Sequence, residues 1–199
     1  MRVLVACEYS GVVRDAFTKF GHDATSVDFL PSETEGKHIQ GDVLDVIKSQ
    51  KWDLMIAHPP CTHLAVSGAR WFAEKRADGR QQRALEFVRA LLDAPIDRIA
   101  LENPVSVISS YIRKPDQYIQ PYEYGHGETK KTGLWLKGLP LLRPTNVVEG
   151  REQKVWLMPP SADRWKERSR TYEGIAQAMA EQWGVENNAY QLMLRERRD

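Results

Sequence analysis

The chain has 199 residues, 42% of them hydrophobic and 28% charged, with a formal net charge of +1. That is the make-up of a water-soluble globular protein with one sizeable core, and no run of about 18 uncharged apolar residues offers a membrane-spanning helix. "MRVLVACEYSG" lacks the apolar region of a signal peptide, so a cytoplasmic location is expected; two cysteines, Cys7 and Cys61, make neither a disulfide framework nor a paired metal motif.

"RVLVA" is a short β-branched run that ends at "CEYSG", and "VVRDAFTKFG" follows with helical spacing that puts Val13, Phe17 and Phe20 on one face. "HDATSVDF" reads as a second strand with Asp28 near its end. A polar loop, "PSETEGKHIQGDV", carries Asp42 before a helix-like "LDVIKSQ" and an apolar strand, "WDLMIA". The clearest amphipathic helix is "GRQQRALEFVRALLDAP", with Ala84, Phe87, Val88, Leu91 and Leu92 on its apolar face, and the strand "DRIALENP" comes next. Alternating strands and helices predict an α/β fold, a parallel sheet covered on both faces. Beyond residue 110 the chain is rich in Gly, Pro and aromatics, which predicts a small β-rich extension over 111–170. Within it "VWLMPPSADRWKERSR" looks irregular. "TYEGIAQAMAEQWG" then predicts a helix from near Thr171 to Gly184, so that 1–110 form the core and 171–199 return to it within a single domain.

In such sheets ligands sit beyond the carboxyl ends of the strands. The chemically capable residues gather there: Glu8 to Gly11, Asp28, Asp42, Pro60 and Cys61, Glu102 and Asn103. Each also has an ordinary reading. Cysteine is often a small buried hydrophobe, the reading kept for Cys7, and loop acids often cap helices. Cys61 differs because Pro59 and Pro60 fix the backbone before it and remove two amide donors, giving a rigid loop where a strand could have continued. His58 and His63 flank it, but no further His or Cys pair completes a metal site, and none is expected. Residues 111–170 hold 12 Lys or Arg against 7 Asp or Glu. That local excess suits phosphate contacts, or simply a solvated face.

Taken together, these residues resemble the cytosine carbon-5 DNA methyltransferases. "WDLMIAHPPCTHLAVSG" is similar to the family's Pro-Cys motif at Pro60 and Cys61, and "ALENP" to its Glu-Asn-Val motif at Glu102 and Asn103. "CEYSGVVRDAF" resembles the first cofactor loop, with Tyr9, Ser10 and Gly11 matching Phe-x-Gly beside Glu8. Asp28 and "GDV" at Asp42 match the next two acids, and "RTYEGIAQAMAEQWG" resembles the last motif. The resemblance implies a Rossmann-like S-adenosylmethionine-dependent methyltransferase sheet, S-adenosylmethionine as cofactor and cytosine-containing DNA as partner, with no membrane. It makes Cys61 the thiolate that adds to carbon 6, Glu102 an acid of raised pKa at ring nitrogen 3, and Asn103 the residue that orients the loop. Asp28 would hold the ribose hydroxyls and Asp42 the adenine amine. A cysteine at position 61, where amino-methylating enzymes carry a stacking aromatic, favours carbon-5 chemistry.

The chain departs from the family pattern at Val13, in place of a second glycine, at Thr62, in place of Gln, and at Pro104, in place of Val. After Gln120 it has no arginine pair, so Thr62, Lys130 and Lys131 are the substitute substrate contacts. The stretch that would hold a target-recognition domain is short. This implies relaxed sequence specificity with affinity from phosphate contacts, and a phage or prophage origin. The same thiol chemistry on a free pyrimidine nucleotide or RNA, and a non-catalytic cofactor- or DNA-binding decoy, are the alternatives.

Overall fold

A computed structural model describes residues 1–161 and 164–185, apart from the side chain of Trp156. Seven strands form one sheet: β1 (Arg2–Ala6), β2 (Asp23–Asp28), β3 (His38–Gln40), β4 (Leu54–Ala57), β5 (Ile99–Pro104), β6 (Gln117–Ile119) and β7 (Thr132–Lys137). Their order is β3-β2-β1-β4-β5-β7-β6. β1 to β5 run parallel, whereas β7 is antiparallel to both β5 and β6. The architecture is Rossmann-like α/β: the five core strands pair in parallel as expected, and the two strands from the expected extension join the same sheet and make it mixed. The reversal is local: β7 returns beside β6 after a loop over residues 120–131 that holds one 3-10 turn at Pro121–Glu123 and no crossover helix, and such a return pairs strands antiparallel.

Helices α1 (Val12–Lys19) and α2 (Val43–Ser49) precede the short α3 (Phe72–Ala77) and then α4 (Arg80–Leu92), at 13 residues the longest helix among the described residues. α5 (Ile108–Tyr111), α6 (Lys154–Leu157), α7 (Arg164–Ser169) and α8 (Glu173–Trp183) complete the described residues. One face of the sheet carries Leu4, Met55, Ile99 and Leu101 and is covered by α2 and α4 through Val46, Ile47, Leu85, Val88 and Leu91. The other carries Val3, Val5, Leu54 and Ile56 and is covered by α1 and α8 through Val13, Phe17, Ile175, Met179 and Trp183. Covering both faces explains why β1 and β4 are almost wholly apolar.

Several expectations shift. β3 lies inside the loop read as polar, because three residues on an edge need little apolar content. Phe20 is 45% exposed past the end of α1. On α4 the fully packed face is Leu85, Val88 and Leu91, with Ala84, Phe87 and Leu92 at its margin. The stretch expected to be irregular contains α6 and α7, and the strands expected after residue 110 extend the main sheet. α8 ends against Gly184 as its sequence suggested. Residues 186–199, assigned to the returning C-terminal part, lie outside the described residues.

Register positions the functional edge. Ala6 pairs with Val27 on one side and Ala57 on the other, and Ala57 pairs with Leu101. One residue further along, the parallel strands therefore deliver Asp28, Cys7, His58 and Glu102 in one row at their carboxyl ends. The alternation of a strand turns His58 and Glu102, like Ile56 and Ala100 before them, toward the face of α1 and α8.

Candidate active site

The row continues the sheet's hydrogen bonding. The amide of His58 donates to the Ala6 carbonyl (2.9 Å), and that of Glu8 to the Val27 carbonyl (3.1 Å). Cys7 turns the chain between them in the left-handed region, with φ 59°. Glu8 then folds back, buried, and accepts from the amides of Val13 (2.7 Å) and Arg14 (3.2 Å) at the start of α1. Its carboxylate satisfies donors that open every helix, an arrangement favoured by the helix dipole. Burial pushes the Glu8 carboxyl up in pKa, against the opposing pull of His58 and the two amides. Gly11 has φ 76°, and a Cβ there would overlap Thr34 Oγ1 and the Arg14 guanidinium, so only glycine closes this loop.

Asn103 is buried and donates from Nδ2 to the Pro59 carbonyl (3.0 Å), tying β5 to the loop after β4. Beyond the two prolines, the Cys61 carbonyl accepts from the amides of Leu64 and Ala65 (both 2.9 Å), so Cys61 begins a tight turn. Its thiol is half-buried and not sealed in the core. Burial pushes its pKa up and the charge of Glu102 adds to this, whereas Lys130, its own amide and Arg168 pull it down. The sulfur thus lies within electrostatic reach of both Glu102 and Lys130.

Glu102 links β5 to the residue after β4 and to the segment before α8. His58 Nδ1 lies 2.9 Å from Glu102 Oε2, and both side chains are 12% exposed. Thr171 Oγ1 donates to the same oxygen (3.3 Å). Burial would raise the carboxyl's pKa, but the bond to His58, the charges of His58 and Lys130 and the Thr171 bond hold it down to about 2. This corrects the raised pKa that the family resemblance implies: a histidine from the neighbouring strand is aimed at the carboxyl, and chain order alone does not disclose it. For His58 burial opposes the charged form, yet the bond and charge of Glu102, together with Glu8, drive its pKa upward.

A cavity of about 50 Å³ lies against this row, lined by Cys7, Glu8, Tyr9, Ser10, His58, Ser169, Arg170 and Thr171. The stretch leading from α7 into α8 closes it. Tyr9 Oη lies 3.1 Å from Ser169 Oγ, the Tyr9 ring tilts against Trp165 at 5.9 Å, Arg170 pairs with Glu33, and Lys130 Nζ donates to the Arg170 carbonyl (3.2 Å). Asp28 Oδ1 accepts from the Leu30 amide (2.9 Å), and Asp42 caps α2 through the Leu44 amide (2.9 Å). Both acids act on Cys7, whose thiol is pushed up to about 12 by burial and then by their charges.

Most of the residues singled out in the sequence therefore converge, while three stand apart. Lys131 Nζ sits over the Tyr118 ring (4.4 Å), an edge-strand contact. Thr62 is exposed and contributes its carbonyl to Lys75 (2.6 Å). Pro60 is exposed and lines a separate shallow cavity of about 340 Å³ with His63, Arg80, Arg83, Ala84 and Phe87. The sequence reading missed Cys7 as a lining residue, His58 as the partner of Glu102, and the Ser169–Thr171 cover. The first two follow from a register that pairs Ala6 with Ala57 and Ala57 with Leu101, whereas the last depends on how the C-terminal helix returns.

Among the cations acting on Cys61, Lys130 does most to favour its thiolate. Its replacement by Met is expected to move the pKa of Cys61 further up, slowing alkylation of Cys61 by iodoacetamide about three- to tenfold at neutral pH. Peptide mass spectrometry across a pH series reads this at Cys61 separately from Cys7. An unchanged midpoint would show that Lys130 does not act on the thiol.

No family model matches the chain, and no curated protein is similar to it. Among solved structures it is similar to a protein described as a DNA modification methyltransferase encoded within an E. coli prophage, with a TM-score of 0.49 and 15% sequence identity. The similarity covers 80% of this chain and 55% of that one, so the chain spans about half the length of that protein.

Proposed function

We propose that the chain transfers a methyl group from S-adenosylmethionine to carbon 5 of cytosine in DNA, through a transient bond between Cys61 and carbon 6 of the ring. The observation that carries the reading is the meeting of three elements at one sheet edge: the rigid Pro-Pro-Cys turn after β4, the Glu102 carboxylate on β5, and the Glu8–Gly11 loop after β1. Asn103 ties the first two together at 3.0 Å.

Carbon 5 of cytosine is a poor nucleophile. Addition of the Cys61 thiolate to carbon 6 makes the ring electron-rich, and Glu102 serves the nitrogen at position 3 where that charge accumulates. Cys61 stands in the right kind of place for such a role, half-open on a rigid loop with a cation nearby.

The groups along the β1–β2 edge suit the cofactor. Asp28 keeps one carboxylate oxygen uncommitted among the described residues, and His58 Nε2 is buried without a hydrogen-bond partner on the wall of the cavity. Glu8, Tyr9, Ser10 and Gly11 would hold its amino-acid portion, Asp28 its ribose hydroxyls, and Asp42 its adenine. When bound, the cofactor supplies an electrophilic methyl group on a sulfonium. A cavity of about 50 Å³ is room for one or two waters, so the Ser169–Thr171 cover draws back when it is occupied.

Two short helices and connecting loops fill the space between β7 and α8, leaving little surface for reading bases in a groove. Phosphate contacts from Lys130, Arg168 and their neighbours then carry affinity, with short or relaxed specificity, and a duplex target must turn its base out of the stack. The same compactness favours the second reading, in which the thiol acts on RNA or a free pyrimidine nucleotide. Incubation with methyl-labelled cofactor and duplex DNA, single-stranded DNA, RNA or cytidine nucleotides, followed by nucleoside analysis, decides between them. Label in 5-methyldeoxycytidine is expected. Label only in RNA or nucleotides selects the second reading, and no label in any substrate, with the cofactor bound, makes the protein a non-catalytic binder.

A further inference from the structure

We propose that His58 arms Glu102: it anchors one carboxylate oxygen and holds the proton that Glu102 passes to the substrate ring. The inference rests on the methyl-transfer reading and deepens it. His58 acts through Glu102, so it is a positioning residue and not a group that touches the base.

Geometry carries the argument. Glu102 Oε2 is engaged twice, by His58 Nδ1 at 2.9 Å and by Thr171 Oγ1 at 3.3 Å. Oε1 has no hydrogen bond among the described residues, which leaves it for the substrate. The strand register makes the pairing obligatory, because His58 and Glu102 each follow one residue after the paired Ala57 and Leu101 and turn to the same face. A carboxyl held at about 2 carries no proton of its own near neutrality, so the proton available at this carboxylate is the one on His58 Nδ1. The charged groups facing His58 are Glu102 from β5, Glu8 from the loop after β1 and Lys130 from the segment before β7. Two carboxylates against one ammonium favour the imidazolium. Its other nitrogen, Nε2, is buried on the wall of the cavity without a partner among the described residues.

The balance is simple. Cys61 attacks as a thiolate, its proton having already left to solvent, and one S–C bond forms at carbon 6 while the displaced electron pair moves to ring nitrogen 3. One proton passes from His58 Nδ1 to Glu102 Oε2, the resulting carboxylic acid turns about its Cγ–Cδ bond to bring that O–H to the substrate side, and the O–H bond breaks as one N–H bond forms at ring nitrogen 3. Glu102 begins and ends as a carboxylate, and His58 begins as imidazolium and ends as neutral imidazole. Elimination of the thiolate returns the proton.

His58→Asn separates anchoring from proton storage, since its side-chain amide can donate to Oε2 but cannot give up a proton at neutral pH. The expected result is a methyl-transfer rate about 100-fold lower at pH 7, read at saturating cofactor and below the melting temperature of the variant. The alkaline fall of the wild-type rate, set by loss of the imidazolium as pH rises through its raised pKa, is expected to vanish in the variant. A wild-type rate and pH profile in His58→Asn would overturn the proposal. A second measurement needs no turnover: the His58 ring resonances of the intact protein, followed by NMR across pH. His58 is expected to titrate above the ordinary histidine value of about 6.5, and lower in Glu102→Gln than in wild type. Titration at or below the ordinary value in wild type overturns the proton-store role. If no substrate accepts a methyl group, the functional reading fails on its own assay, while the titration still decides whether the pair holds the proton.

Discussion

Replacing Cys61 with alanine or serine is expected to lower methyl transfer by at least about 1,000-fold while leaving the fold and cofactor binding intact. The loss follows from the order of events, since without a thiolate on carbon 6 the ring never becomes electron-rich enough to attack the methyl group. Serine does not rescue, because its hydroxyl ionises far less readily than a thiol even when that thiol is raised by burial. The fold survives because the structural bonds of this turn are backbone bonds, from the amides of Leu64 and Ala65 to the Cys61 carbonyl. Truncating a half-buried side chain there is expected to change stability by no more than about 1 kcal/mol. Rates measured alongside melting temperature and cofactor affinity check all three parts. A serine variant with wild-type turnover would remove Cys61 from the reaction.

Glu102→Gln is expected to lower the rate by about 100- to 10,000-fold, the range for loss of a group that manages a proton in the transition state. The amide keeps the shape of the carboxyl and can still accept a hydrogen bond from His58, but it can neither hold the imidazolium by charge nor pass its proton on. A signature in stability accompanies this. The folded pKa of Glu102 is depressed to about 2 from 4.5, so its stabilising contribution is fully present above about pH 4.5 and fades as pH falls toward 2. His58 is shifted upward from 6.5, so the contribution of the same pair is fully present below 6.5 and fades as pH rises through the folded value. The wild type should therefore exceed Glu102→Gln in stability most between about pH 4.5 and 6.5, by about 1–3 kcal/mol. Denaturant midpoints measured at pH 3, 5.5 and 9 test this, and a difference that does not vary with pH would contradict an ionic pair.

The sequence makes the architecture legible where burial is two-sided. β1, β4 and the start of β5 are continuous apolar runs because helices cover both faces, and α8 announces itself by periodicity and by Gly184. It conceals elements whose existence depends on neighbours. β3 is three residues of mixed polarity held by β2, and α7 is a charged helix with no buried side chain. The candidate site divides in the same way. Pro59 and Pro60 mark the loop as rigid, and Glu102 and Asn103 stand out as polar residues in an apolar strand, so their convergence follows from chain order alone. The ionisation of Glu102 does not, because it is set by a histidine 44 residues away whose approach depends on the register of β4 against β5. Likewise, the basic run before Thr171 reads as solvated charge until α8 folds back and lays Arg170 and Thr171 across the cavity.

The central claim is a covalent bond between Cys61 and the base, and it is tested most directly by trapping that bond. Duplex DNA carrying 5-fluorocytosine, incubated with the protein and S-adenosylmethionine, places a fluorine where the departing proton of carbon 5 should be, so the methylated ring cannot release the enzyme. The account predicts a denaturation-resistant protein–DNA complex that forms only with the methyl donor present, and a Cys61 peptide bearing the fluorinated, methylated ring by mass spectrometry. Methyl transfer to ordinary DNA with no trapped complex, or with the label on the exocyclic amine of cytosine, would contradict it.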